Sequence, residues 1–409
     1  MHKHCVIAGA VVLASGCASL ALAKETSFET VQKGKYLTQA ADCVACHTVE
    51  NGKPFAGGRA IETPFGTIYS ANITPDRETG IGAWSDDEFY RAMHEGIGPD
   101  GKRLYPAFPY PYFTKMTRED VLAIRAYLNT IPPASNRRPD PKLTWPLGYR
   151  ALMRGWNWLF FQEGTFAPNS TKSAEWNRGA YLVEGAGHCG ACHTPKNTLG
   201  GDRHSGALQG NQIQRWFAPK LDNDRHSGLG AWTIDEIAEY LKTGRNRHSG
   251  ATGLMGEVVA NSTSKLDDAD LRAIAAYLKD VTAVAPELAS KPEQAQMDAG
   301  EAIFVDTCAA CHQSDGKGVP HMFPPLAANA NAQSSDPTSV MRVILEGART
   351  VATDARPTPS SMPAFGWKLS DAQVAAVATY VRNSWGNAAS AVTPAQVKSL
   401  RGALHATTQ

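Results

Sequence analysis

Cys189-Gly190-Ala191-Cys192-His193 is one of three copies of the pattern Cys-x-x-Cys-His in this chain, and the other two are Cys43-Val44-Ala45-Cys46-His47 and Cys308-Ala309-Ala310-Cys311-His312. Each copy places two thiols two residues apart, with an imidazole directly after the second thiol. A single Cys-x-x-Cys can be a redox dithiol or half of a zinc site. A zinc site needs two such pairs around one metal, whereas here each pair lies far from the next along the chain and has its own histidine. The pattern therefore favours neither a redox dithiol nor a zinc site.

Cys-x-x-Cys-His is typical of covalent attachment of a c-type haem. The two thiols add to the two vinyl groups of one porphyrin, and the adjoining imidazole becomes the proximal ligand of the iron. We therefore predict three haem c groups as cofactors. The tethers are Cys43, Cys46, Cys189, Cys192, Cys308 and Cys311, and the proximal iron ligands are His47, His193 and His312.

The remaining cysteines, Cys5 and Cys17, fall in residues 1–23, which we interpret as a cleaved signal peptide. Lys3 precedes an apolar run that ends in the cleavage signal Ala21-Leu22-Ala23. A lipoprotein signal with a lipidated Cys17 is the alternative. Cleavage removes one of the 40 basic residues and none of the 39 acidic ones. Such a balance does not indicate a nucleic-acid partner. Since no later run is long enough to span a membrane, we expect peripheral attachment on the periplasmic side of the cytoplasmic membrane.

Each motif follows a short helix that contains a glycine, and each motif segment ends in an amphipathic helix. The glycines are Gly34, Gly179 and Gly300. The closing helices begin with pairs of residues that are expected to cap them, namely Thr117/Asp120, Asp267/Asp270 and Ser370/Gln373. Near its end each closing helix contains a tyrosine: Tyr127, Tyr277 or Tyr380. A glycine at this place lets the aromatic residue of the closing helix approach closely. This pattern resembles class I cytochromes c, which implies an all-α fold of three tandem class I cytochrome c-like domains.

We predict three domains with connecting segments between them. The bounds are 1–23 for the signal peptide, 24–140 for domain 1, 141–173 for an aromatic linker, 174–283 for domain 2, 284–293 for a linker, 294–388 for domain 3 and 389–409 for a C-terminal tail. The aromatic stretch 147–161 is either packed between domains or a docking face for a partner or the membrane surface. The tail is expected to form a short helix that either contacts a partner or frays into solvent.

The sixth iron ligand is expected to be methionine in each domain. Met362 and Met255 are the candidates in domains 3 and 2, because both lie in Gly/Pro-rich stretches that read as loops. In domain 1 Met116 is preferred to Met93, and His94 or an open position is the alternative. Domain 2 also repeats Arg-His-Ser-Gly at His204, His226 and His248, and one of these histidines could compete for the iron. His188 could hydrogen-bond a haem propionate or face water.

Three further strings carry a family resemblance: residues 63–76, residues 104–110, and residues 174–184 leading into Cys189. The chain resembles the three-haem cytochrome c subunits of periplasmic, membrane-bound dehydrogenases that oxidise alcohols and sugars. Residues 156–161 and 176–192 are most similar to subunits that serve flavoprotein gluconate, sorbitol or fructose dehydrogenases. Where members of the family often have methionine, this chain has Phe108.

The resemblance implies a non-catalytic electron-transfer subunit. A catalytic partner, favoured to be a flavoprotein, oxidises the substrate, and the electrons pass through the haems to ubiquinone or a terminal oxidase. A quinoprotein or molybdenum dehydrogenase is the alternative partner. A free-standing periplasmic shuttle and a multihaem peroxidase are the alternative functions.

Overall fold

The computed structural model describes residues 27–284 and 289–405. The predicted signal peptide, with Cys5 and Cys17, lies outside these ranges. Within them the chain forms three helical units in sequence order. We call them the N-terminal unit (28–128), the central unit (174–280) and the C-terminal unit (294–405).

The N-terminal unit is built on the packing of its first helix against its last. Its elements are α1 (Phe28–Ala40), α2 (Cys43–Cys46), β1 (Ala60–Thr63), β2 (Gly66–Tyr69), α3 (Asp86–Glu95), α4 (Tyr110–Phe113) and α5 (Arg118–Leu128). The connecting segment that follows adds β3 (Lys142–Leu143) antiparallel to β2, and then forms α6 (Leu152–Phe160).

The central unit repeats this order. Its elements are α7 (Ala174–Tyr181), a π-helical turn (Leu182–Ala186), α8 (Gly190–His193), a 3-10 turn (His204–Gly206), β4 (Asn211–Ile213), β5 (Trp216–Ala218), α9 (Ile234–Thr243), α10 (Gly253–Asn261), a second 3-10 turn (Thr263–Lys265) and α11 (Asp268–Asp280). The π-helical turn carries the chain from α7 directly to the second Cys-x-x-Cys-His motif.

The C-terminal unit keeps the first, motif and closing helices, has its hairpin after the middle helix, and ends in an extra helix. Its elements are α12 (Gln294–Thr307), α13 (Ala309–His312), α14 (Thr338–Glu346), β6 (Ala348–Arg349), β7 (Ser361–Met362), α15 (Asp371–Asn383) and α16 (Pro394–His405). Helix α16 is the predicted tail helix. Its apolar residues Val397, Leu400 and Leu404 are buried in the core of this unit, so it packs on its own unit.

The predicted close crossing of the first and closing helices is confirmed in all three units. A Cβ atom placed on Gly34 would lie 1.8 Å from the Ala123 carbonyl oxygen. The corresponding distances are 1.9 Å from Gly179 to Ala273 and 2.3 Å from Gly300 to Ala376. Real Cβ atoms cannot approach so closely, so only glycine allows these helix pairs to cross.

The predicted helix caps are confirmed at two closing helices and wrong at the third. Thr117 and Ser370 accept hydrogen bonds from the amides of Asp120 and Gln373. Asp267 makes no such cap bond. Its amide N–H donates instead to the Tyr36 hydroxyl, which comes from the N-terminal unit.

The expectation of an all-α fold is wrong in detail, because the described residues also contain three small sheets. One has the order β1-β2-β3, and the other two are the hairpins β4-β5 and β6-β7, all antiparallel. Strands of two to four residues are too short to show an alternating pattern in the sequence.

The buried apolar residues form one core for two units and a second core for the third. Leu37 and Ile124 of the N-terminal unit belong to the same cluster as Leu182 and Leu271 of the central unit. The C-terminal unit has a separate cluster around Phe304. The N-terminal and central units thus share a hydrophobic core that the C-terminal unit does not join.

Candidate haem sites

The three motifs lie in equivalent positions, each at a short helix that comes after the first helix of its unit. Each motif histidine is oriented by a backbone carbonyl. The Nδ1 atom of His47 is 2.6 Å from the Ala71 oxygen, that of His193 is 2.6 Å from the Pro219 oxygen, and that of His312 is 3.2 Å from the Pro324 oxygen. A carbonyl can only accept, so Nδ1 carries the proton and Nε2 is left as the nitrogen that can bind a metal.

The protonation states of the motif residues also fit a haem. Burial lowers the pKa of His47, His193 and His312, which keeps these imidazoles neutral, as an iron ligand must be. Burial raises the pKa of Cys43 to about 12 and that of Cys189 to about 12. A redox dithiol requires the opposite shift. Across residues 27–284 and 289–405, no group of three or more His, Cys, Asp or Glu side chains is arranged to hold a metal ion. When bound, a haem supplies one-electron redox chemistry.

The first two motifs lie close together. Burial raises the pKa of the Cys46 thiol to about 11, and the neighbouring Asp42 carboxylate adds to this increase. The Cys192 thiol of the second motif makes a smaller contribution in the same direction. His188, just before the second motif, has its Nε2 atom 3.2 Å from the carbonyl oxygen of Ala41, just before the first. His188 is therefore within hydrogen-bond distance of the backbone of the neighbouring unit.

Met255 and Met362, the distal candidates of the second and third motifs, lie on either side of the contact between the central and C-terminal units. Met255 is in the first turn of α10, so its predicted loop position is wrong. Met362 is in the two-residue strand β7, where it pairs with Ala348, so its predicted loop position is also wrong. The Val351 amide donates to the Ala251 carbonyl (3.2 Å) across this contact. Gly253 and Met362 line the same groove, which has a volume of about 430 Å³.

The structure does not single out a distal ligand in the N-terminal unit. Met116 is fully buried just before α5. The equivalent residues Leu266 and Leu369 are also buried, which is the behaviour of a core position. Met93 is buried in α3, and the His94 ring stacks on Tyr90 with its Nε2 atom 3.6 Å from the Glu163 carboxylate. Met116 therefore stays a prediction.

The Arg-His-Ser-Gly repeats contribute to the contact with the C-terminal unit. The backbone carbonyl of His226 accepts a hydrogen bond from Gln333 (3.0 Å), and that of His248 accepts one from Asn329 (3.1 Å). The His248 ring stacks on Trp232. These contacts give two of the three repeats a structural role.

The aromatic linker helix α6 has a packed face and an exposed face. Asn157 is buried and hydrogen-bonded to the Tyr110 hydroxyl (2.7 Å), and the Trp156 indole donates to the Leu199 carbonyl (3.0 Å). On the other face Trp158 is 85% exposed and Leu159 is 56% exposed. No helix in the described ranges is both long enough and apolar enough to cross a membrane.

Four residues at the contact between the first two units were not predicted from the sequence to form a site: Tyr36, Asp120, Tyr181 and Asp270. They form hydrogen bonds between the units. The available signal was that tyrosine and aspartate recur at the same places in two copies of the domain and not in the third.

Known proteins with similar sequences support the assignment of three cytochrome c-like units. The sequence pattern of the family described as cytochrome c matches residues 31–132, 177–282 and 297–385, one match for each unit. The gluconate 2-dehydrogenase cytochrome c subunit of Pantoea cypripedii is 41% identical over 393 residues, which cover 91% of this chain and 89% of the relative.

Two further relatives are similar over nearly the whole chain. The alcohol dehydrogenase (quinone) cytochrome c subunit of Komagataeibacter europaeus is 42% identical, covering 96% of this chain and 88% of the relative. The fructose dehydrogenase cytochrome subunit of Gluconobacter japonicus is 37% identical, covering 91% and 82%. The chain therefore belongs to the cytochrome c family, among the cytochrome c subunits of gluconate, alcohol and fructose dehydrogenases.

Proposed function

We propose that this chain is the electron-transfer subunit of a dehydrogenase and carries electrons through three covalent haem c groups. The observation that carries the proposal is the set of three equivalent motifs whose histidines are each oriented by a backbone carbonyl. Contacts from unit to unit support a continuous path: the first motif adjoins the second, and the Met255 segment adjoins the strand of Met362. His47, His193 and His312 would each bind the iron of one haem. Met255 and Met362 would supply a second iron ligand in two of the sites, with Met116 as the candidate in the first.

The catalytic partner in this proposal is a sugar, aldonate or alcohol dehydrogenase subunit. The likeness to subunits of gluconate, alcohol and fructose dehydrogenases supports such a partner. The resemblance of residues 156–161 and 176–192 to subunits serving flavoproteins favours a flavoprotein. Ubiquinone is the proposed acceptor, and the proposed location is the periplasmic side of the cytoplasmic membrane.

Purification of the tagged full-length chain from detergent-extracted native membranes tests this function. We expect one dehydrogenase subunit per cytochrome chain by mass spectrometry, three iron atoms per chain, and haem reduction when the partner's substrate is added. A quinoprotein or molybdoprotein in place of the flavoprotein would correct the partner. A cytochrome that purifies alone and is reduced by no polyol, aldonate or alcohol in crude membranes would overturn the subunit role in favour of a shuttle. Turnover of peroxide with a high-spin ferric signal would favour a peroxidase.

Peripheral attachment to the membrane is supported by the exposed face of α6. An amphipathic helix with tryptophan and leucine on its outer face suits the boundary between lipid headgroups and acyl chains. We expect the double variant Trp158→Ser/Leu159→Ser to lose binding to vesicles of anionic phospholipid in a flotation assay. Trp367, which is 83% exposed in the C-terminal unit, offers a matched control: Trp367→Ser should bind like the unaltered protein. Equal binding by all three proteins would contradict attachment through α6.

A further inference from the structure

The contact between the N-terminal and central units includes two matching hydrogen bonds. The Tyr36 hydroxyl of α1 donates to the Asp270 carboxylate of α11 (2.6 Å). The Tyr181 hydroxyl of α7 donates to the Asp120 carboxylate of α5. Tyr36 and Tyr181 each lie two residues after the crossing glycine, and Asp120 and Asp270 each lie in the first turn of a closing helix. Each unit thus donates a tyrosine hydrogen bond to its neighbour and accepts the equivalent bond on an aspartate.

The groups around these bonds match as well. The Tyr36 hydroxyl accepts from the Asp267 amide (3.2 Å), and the Tyr181 hydroxyl accepts from the Thr117 amide (3.2 Å). These amides belong to the residues that precede the two closing helices. A contact in which the same surface serves both partners is the mark of two-fold symmetry. The first two units are therefore related as the halves of a symmetric dimer joined within one chain.

A cation within each unit completes the arrangement. Lys33 Nζ lies 2.7 Å from the Asp120 carboxylate, and Arg178 binds the Asp270 carboxylate with two nitrogens, at 2.8 and 2.7 Å. Lys33 and Arg178 each directly precede the crossing glycine. Both aspartates are therefore held by a cation of their own unit and a tyrosine of the other.

The same symmetry brings each unit onto the haem-attachment motif of the other. The Tyr112 ring of α4 lies against Gly190 of the second motif, where an added Cβ would be 2.8 Å from the ring. The Ser262 hydroxyl, at the end of α10, donates to the Ala40 carbonyl just before the first motif (3.2 Å). A shift at the tyrosine–aspartate bonds would therefore move both motifs relative to each other.

The C-terminal unit lacks both halves of this contact. The residue two positions after Gly300 is Ala302, and the residue equivalent to the two aspartates is Gln373. Gln373 accepts a hydrogen bond from the Ser370 amide as part of a local cap. The start of α15 is contacted instead by Arg401 of α16, which binds Asp371 (2.8 Å). The sequence difference matches the observation that this unit has its own core.

We propose that Tyr36 and Tyr181 are positioning residues that lock the N-terminal and central units into one two-fold pair and thereby fix the spacing of the first two haem-attachment motifs. The C-terminal unit is a separate module outside this pair. The haem spacing in this inference rests on the proposed function, whereas the locking of the two units does not.

The tyrosines act as neutral donors. Burial, strengthened by the hydrogen bond to the facing carboxylate, raises the pKa of Tyr36 and of Tyr181. Replacement by phenylalanine keeps the ring and leaves the carboxylate without one of its donors, which is costly in a partly buried place.

The test uses Tyr36→Phe, Tyr181→Phe and the double variant of the full holoprotein, with Tyr277→Phe as the control. Tyr277 donates to Glu184 (2.6 Å), so the control removes a similar bond within the central unit. Calorimetry reports stability, and circular dichroism in the haem Soret band reports the distance and orientation of neighbouring haems. Mass spectrometry of the same samples counts the attached haems.

We expect Tyr36→Phe and Tyr181→Phe each to lower the melting temperature of the paired units by about 2–4 °C. Both should reduce the Soret exciton signal of the first two haems to a similar degree, and the double variant should reduce it further. Tyr277→Phe should lower the melting temperature and leave the exciton signal unchanged. The inference is overturned if the cross-unit variants leave that signal as it is, or if only one of them changes it. Chains without haem in the motifs would contradict the proposed function, and the melting temperatures would still test the locking of the units.

Discussion

The central unit contacts its two neighbours in different ways. Toward the N-terminal unit it shares a hydrophobic core, in which Leu182 and Met116 are buried. Toward the C-terminal unit its contacts are mainly polar. The Ser339 hydroxyl both accepts from the Phe217 amide (2.9 Å) and donates to the Phe217 carbonyl (3.0 Å), and Arg245 donates to the Thr358 carbonyl (2.9 Å).

The difference teaches that one repeated domain can be joined to its copies in two physical ways. Burial of shared apolar surface makes two units lose their structure together. A polar interface resembles that between transient partners and permits each side to stay folded alone. We therefore expect the first two units to unfold as one and the third to unfold separately.

The largest effect is expected from a methyl group at the helix crossings. Gly34→Ala would place its Cβ against the Ala123 carbonyl, and Gly300→Ala would do the same at Ala376. Because backbone cannot yield easily, each change should cost about 4 kcal/mol or more. Calorimetry should show that Gly34→Ala removes the transition of both paired units, whereas Gly300→Ala removes only that of the C-terminal unit. Loss of the N-terminal unit alone would contradict the shared core.

A smaller loss is expected when one buried side chain is shortened in each core. Leu182→Ala should lower the free energy of unfolding of the paired units by about 3 kcal/mol, because it leaves a cavity where the two units meet. Leu400→Ala should have a comparable effect on the C-terminal unit alone, since Leu400 joins α16 to that core. Denaturant titration followed at each transition measures both, and a shift of both transitions by either variant would argue against two separate cores.

Acid should weaken the paired units through Asp270. Although burial opposes it, the hydrogen bonds from Arg178 and Tyr36 lower the pKa of the Asp270 carboxyl below its usual value. A lowered folded-state pKa stabilises the protein above the ordinary aspartate pKa of about 3.9, and this stability is lost as the pH falls through the folded-state value. Asp270→Asn should cost about 2 kcal/mol at neutral pH and reduce the acid dependence of the paired transition. Unchanged acid dependence in this variant would show that Asp270 is not the responsible group.

The smallest effect is expected at the polar interface. Ser339→Ala removes two hydrogen bonds to Phe217 and should weaken the contact by about 1 kcal/mol. Hydrogen exchange of the Phe217 amide should become faster while both melting transitions keep their temperatures. A lowered melting temperature of the paired units would mean that the third unit supports their fold.

Much of the frame of each unit could be predicted from sequence, because it depends on local signals. The crossing glycines and the caps at Thr117 and Ser370 follow from short-range patterns and are confirmed. The motif cysteines and histidines could be named as a site because the attachment chemistry needs them in one short string.

The pairing of the first two units could not be predicted, because it depends on single residues far apart in the chain. Nothing near Tyr36 in the sequence indicates that its hydroxyl meets Asp270. The predicted loop position of Met255 is wrong for a related reason. The glycines around Met255 indicate a loop, whereas in the structure α10 begins at Gly253, directly after Thr252. Burial at Met116 fits both a ligand and a core side chain, so sequence and packing alike leave its role a prediction.

The most direct test of the account is a calorimetric scan of the full-length holoprotein, with Leu400→Ala used to assign the transitions. We predict two transitions, a larger one for the N-terminal and central units together and a smaller one that alone shifts in Leu400→Ala. Three separate transitions, or a single one that shifts as a whole in this variant, would contradict the division into a locked pair and a separate module.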